Sequence, residues 1–147
     1  MKKSTASVLA VVLSAGLAAA AAMGADAIKE RRALMKANGE ATKPLVPMMK
    51  GTAPFDLATV QKALKTYMNA AEKMPALFPD DSKTGDTHAL PAVWENKADV
   101  DARFKKLGED AKAALAEVKD EASFKAIMPD FFKNCGGCHE KYRAKQT

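Results

Sequence analysis

Three things are scarce in this chain of 147 residues. No stretch alternates apolar and polar residues with period 2 for long, and β-branched runs are few, which argues against a sheet. After the first 25 residues nothing is apolar enough to cross a bilayer. Charge of one sign is also scarce, with 23 Lys and Arg against 18 Asp and Glu, interspersed. So mild an excess gives no basis for nucleic-acid binding. Soft ligands are rarer still. Two cysteines and two histidines are all there are, and both cysteines and one histidine fall within five residues.

The N-terminus explains part of the apolar content. Lys2 and Lys3 precede an uncharged, Ala-rich run from Val8 to Ala22, and small residues lead on to Asp26. That is the layout of a secretory signal. As a membrane anchor, the rival reading, the run is short of the roughly 20 residues a span requires. Residues 1–25 are therefore expected to be a cleaved signal, with the cut between Ala22 and Asp26. Residues 26–147 are the expected mature domain, soluble and exported to the periplasm, with no membrane span. Losing Lys2 and Lys3 leaves 21 basic against 18 acidic residues. The domain is large enough for one core.

Spacings of three and four predict four amphipathic helices. The first covers about 26–50 with Ile28, Leu34, Met35, Leu45, Val46 and Met49 inward, and is interrupted near Pro44 and Pro47. The second starts after Asp56, a good N-cap, carries Val60, Leu64, Tyr67, Met68 and Ala71, and ends at Pro75. A long polar loop, 77–91, follows. The third covers about 92–119, its inward set running from Val93 through Trp94, Lys97, Val100 and Phe104 to Leu115 and Val118. Asp120 or Ser123 caps the fourth, which continues through Pro129 and bears Phe124, Phe131, Cys135, Cys138, His139 and Tyr142. Short links predict an all-α, antiparallel up-down-up-down four-helix bundle.

Cys135-Gly136-Gly137-Cys138-His139 is C-x-x-C-H, the attachment pattern of a c-type haem. Two thiols adding to two vinyl groups must share one helix face, which positions i and i+3 do. The adjacent imidazole then serves as proximal iron ligand. Three rivals fit worse. A helical C-x-x-C disulfide is strained and leaves His139 without a role. A thioredoxin-like pair needs a preceding strand. Zinc needs a fourth ligand, and His88 is the other histidine. One covalent haem c per chain is the expected cofactor.

Only Glu140 to Thr147 follow the motif, so a sixth ligand must come from upstream. In the antiparallel bundle, about nine residues at roughly 1.5 Å each into the first helix reach Met35. Met68 on the second helix, and less so Met74, satisfy the same geometry, and Met35 as a gap-filling core residue is the bland alternative. Arg31 is a candidate neighbour of a haem propionate, or a solvated helix charge. Trp94, Phe104, Phe131 and Tyr142 either wall the haem or are core. His88 reads as a solvated loop side chain.

The stretches CGGCHEKYR, KGTAPFD, LPAVW and LFPDDSKTG together resemble the cytochromes c′ and their low-spin relatives, the class II c-type cytochromes, over essentially the whole mature chain. That family is itself an example of the up-down-up-down bundle. In RRALMKANG, Arg31 precedes Met35 by four positions, which is similar to the family's distal stretch. A methionine there implies the low-spin branch, with His139 and Met35 on the iron, and Arg143 matches the basic residue beside the proximal ligand. The resemblance implies an electron carrier working with redox partner proteins. The alternative it carries is a five-coordinate haem that binds NO or CO. Family members are often homodimers, an expectation that extends to this chain.

Overall fold

The structure, a computed structural model, describes residues 6–145, and side chains from Met23 onward. Lys2 and Lys3 lie outside the described residues, as do the side chains of the apolar run. Among the described residues no helix is long and apolar enough to cross a membrane. Helix α1 spans Ala6–Thr42 and runs without a break through the expected processing region.

The prolines act as anticipated. Helix α1 stops at Thr42, and a turn at Lys43 and Pro44 leads into α2, Leu45–Lys50. Pro44 has no N–H to continue the α1 ladder, while Pro47 sits in the first turn of α2, where a missing donor is tolerated. Gly51 closes α2 at φ 70°, its N–H reaching the carbonyls of Met48 and Pro47. That left-handed backbone favours glycine. Helix α3, Leu57–Lys73, starts from Asp56, whose carboxylate accepts from the Ala58 and Thr59 amides at 3.1 and 3.2 Å.

The third predicted helix is corrected. It divides into α4, Ala92–Glu95, and α5, Lys97–Glu117, with Asn96 between them at φ −124°, ψ 42°. The Asn96 side-chain amide and backbone N–H both donate to the Ala92 carbonyl at 3.0 Å, and the break lies in the non-helical backbone angles of Asn96 itself. Lys97 is corrected too. Its side chain is 43% exposed and its ammonium donates to Pro75 O at 2.7 Å rather than entering the core. Helix α6, Glu121–Tyr142, continues through Pro129 and opens on a reciprocal cap between Asp120 and Ser123, so both candidates take part.

The four long helices α1, α3, α5 and α6 form the expected antiparallel bundle. Tyr67, Phe124, Leu64, Met128, Val60, Val93 and Val100 are fully buried in it. Helix α3 packs against both α1 and α5, and α5 against α6. A methyl on Gly108 would stand 3.3 Å from the Ala71 Cβ, so α3 and α5 approach closely there. Helices α1 and α6, by contrast, share at most marginal backbone contact. The bundle is left with a seam between its first and last helices.

The 77–91 segment is not a free loop. Short 3-10 turns occupy Met74–Leu77 and Asp80–Ser82, and Ala89 forms an isolated antiparallel bridge with Arg143.

Candidate haem site

Cys135, Cys138 and His139 lie on the last two turns of α6, with Cys138 three residues beyond Cys135. All three are half-buried and both thiols are free. Burial pushes both thiols above their ordinary pKa, with Arg103 opposing the shift at Cys138. Both therefore stay protonated at neutral pH. Burial first, and then the Arg143 charge, lowers the pKa of His139, which keeps the imidazole neutral with a lone pair free to bind a metal.

Two observations fit a covalently held macrocycle. A methyl on Gly136 would meet nothing within 4 Å, and one on Gly137 would meet only the Arg103 guanidinium at 3.8 Å. The surface beside the thiols is therefore open. Across the seam, Asn38 Oδ1 is buried without a hydrogen-bond partner. It stands one turn beyond Met35 on α1, and helical side chains lean toward the N-terminus, which directs it over the Leu34–Met35 turn.

Met35 on α1 and Met68 on α3 are both half-buried and pack against the core. Met68 lines an open groove of about 530 Å³ between α3 and α5, together with Phe104, Gly108 and Lys112. The α3 side chain close to the motif is Tyr67, whose ring packs tilted against Phe131 on α6 with centroids 5.2 Å apart. Met74 is buried in the core.

Arg31 is not a solvated charge. It is 4% exposed and donates to Leu77 O at 2.9 Å, Ser82 Oγ at 2.8 Å, Ser82 O at 2.9 Å and Thr87 Oγ1 at 2.7 Å. Phe78 and Trp94 present their ring faces to it at 5.0 and 5.6 Å. Trp94 in turn donates its indole N–H to Pro79 O at 3.0 Å. Both residues belong to the packing of the 77–91 segment. His88 lies in that segment, and its carbonyl accepts from the Ala144 amide at 2.8 Å.

Sequence reasoning missed Asp99 and Arg103. Arg103 donates to Gly137 O inside the motif at 3.2 Å and to Asp99 at 2.9 Å. Asp99 also accepts from Lys141 at 3.2 Å and from the Tyr142 hydroxyl. The i, i+4 pair on α5 is visible in the sequence, but nothing there shows that it faces the motif.

Comparison with known proteins agrees. The family model described as Cytochrome C' matches residues 26–143. A cytochrome c' of Rhodopseudomonas palustris is 50% identical over 138 residues, 93% of this chain and 92% of that one. A cytochrome c-556 of Agrobacterium fabrum is 38% identical over 140 residues, 95% of each chain. The solved structure of cytochrome c' from Rhodopseudomonas palustris superposes with a TM-score of 0.80 at 51% identity, covering 83% of this chain and 98% of that one.

Proposed function

Because the chain belongs to the cytochrome c′ family and so carries one covalently attached haem c, we propose that it is an exported, periplasmic electron carrier with His139 and Met35 as axial ligands. The observation that carries this reading is Met35 itself, a half-buried thioether on α1 packed against the core, whereas Met68 also lines the outward-open α3–α5 groove.

Each residue has a physical role in this reading. Cys135 and Cys138 form the two thioethers. His139, kept neutral by burial and by Arg143, donates its ring lone pair. Met35 supplies a neutral sulfur that favours the reduced ion and raises the potential. Arg103 holds the Gly137 carbonyl and with it the last turns of α6. The bound haem supplies a one-electron Fe(III)/Fe(II) couple. Residues 1–25 serve as the cleaved export signal, and the partners are redox proteins. The chain acts as a carrier and not as an enzyme.

A visible and near-infrared spectrum tests the ligand set. His/Met ligation predicts a sharp low-spin α band when reduced and the weak sulfur-to-iron charge-transfer band when oxidised. Met35→Leu should abolish the second band and make the iron high-spin, and as a volume-conserving core change it should cost at most about 1.5 kcal/mol of packing. Met68→Leu should leave the spectrum unchanged. A silent Met35→Leu variant would transfer the case to the second reading, a five-coordinate protein that binds NO or CO. That reading draws support from the 50% identity to a protein named cytochrome c', against 38% to a cytochrome c-556.

A further inference from the structure

Helices α1 and α6 carry the two ligand positions yet scarcely touch each other. What links them at the motif end is the 77–91 segment, tied at both sides. On the α1 side, Arg31 holds Leu77, Ser82 and Thr87 through four hydrogen bonds of 2.7–2.9 Å. Arg32 adds an exposed pair with the Asp86 carboxylate and a bond to its carbonyl at 3.1 Å. On the α6 side, Leu90 N–H donates to Tyr142 O at 3.0 Å and Ala144 N–H to His88 O at 2.8 Å. Both bonds involve residues within five positions of His139.

We infer that residues 77–91 are a strap that sets the spacing between α1 and α6, and that Arg31 is the positioning residue holding Met35 at bonding distance from the iron. The inference rests on Met35 being the distal ligand, as proposed above. A thioether is a neutral, weak ligand, and its bond survives only while the helix that carries it is held in register. Two thioethers and His139 anchor the α6 side covalently, so α1 is the side free to shift. A buried guanidinium is costly unless its donors are satisfied, and here its acceptors lie 46–56 residues along the chain. Satisfying Arg31 therefore requires the strap to be closed. Closure and Met35 placement are coupled because Arg31 and Met35 stand one turn apart on α1.

The test uses the haem-loaded protein. Ser82→Ala with Thr87→Val removes two of the four acceptors and leaves both carbonyls. The double variant should bind CO about tenfold faster than wild type when reduced, in line with two weakened charge-assisted bonds. The Leu90 and Ala144 amides should also exchange hydrogen faster. In a Met35→Leu background the same pair of changes should leave the CO rate unaltered, since no ligand remains to be released. A double variant that lowers thermal stability but leaves the CO rate at the wild-type value would reduce the strap to an ordinary structural element. Acceleration that persists in the Met35→Leu background would mean that the strap governs access rather than ligation, and would also overturn the inference. If Met35→Leu changes neither spectrum nor CO rate, the ligand assignment fails and the strap's role falls with it. If Met35→Leu opens the iron and the strap variants do not, the strap alone is rejected.

Discussion

Two charged hubs brace the motif end of this bundle, and they differ in one respect. Arg31 on α1 donates to four oxygens while 4% exposed, packed between the faces of Phe78 and Trp94. Asp99 on α5 accepts from Tyr142, Arg103 and Lys141 with its side chain 41% exposed. Both tie one helix to a distant segment. Water can replace every partner of Asp99, but not those of Arg31. The same chemistry should therefore be worth far more at one hub than at the other.

The largest effect should come from breaking the buried hub. Arg31→Met leaves at least two acceptors unsatisfied in a closed space and should cost about 3 kcal/mol or more, read as a fall in the denaturant midpoint with unchanged slope. A loss under about 1 kcal/mol would mean that water reaches the strap and the contrast is unfounded.

Tyr67 sharpens the comparison, since it is a second buried polar group near the motif. It is 1% exposed and shares a hydrogen bond of 2.8 Å with Thr42. Burial, partly offset by Thr42, pushes its pKa up to about 12, against about 10 in an unfolded chain. The sign follows from the raised value. The contribution is complete below about pH 10 and is lost as pH climbs toward about 12, by up to about 3 kcal/mol. Tyr67→Phe should cost about 1 kcal/mol at neutral pH and flatten the alkaline limb of the stability curve.

The smallest effect belongs to the exposed hub. The Tyr142 hydroxyl first, then Arg103 and Lys141, hold the Asp99 carboxylate well below its usual range. Its stabilisation is complete above about pH 4 and fades as the pH falls below that value. Asp99→Asn should therefore lower the neutral-pH midpoint far less than Arg31→Met does, and flatten the fall in stability below about pH 4. An effect at neutral pH as large as that of Arg31→Met would erase the distinction between the hubs.

Much of the bundle was legible because its determinants are local. Asp56, Asp120 and Ser123 cap their helices through residues two or three positions away, and Pro44 and Gly51 act on their own turns. Asn96 was harder to read, because its backbone leaves helical angles within a stretch whose apolar periodicity continues on both sides. Lys97 shows the same limit. Its position in the helical stripe suggested burial, but the carbonyl it reaches belongs to Pro75 on another element.

The sequence by itself determined the chemistry of the site. Cys135, Cys138 and His139 share a helix face because residues three and four apart always do, and no tertiary contact is needed to bring them together. Only the tertiary structure decided that Met68 lines the α3–α5 groove, that Arg31 is buried in the 77–91 segment, and that Arg103 reaches the Gly137 carbonyl. Those outcomes depend on how helices are rotated against one another and on acceptors dozens of residues away. Local spacing leaves both undetermined, because it relates residues of one helix and carries no information on how that helix turns against its neighbours.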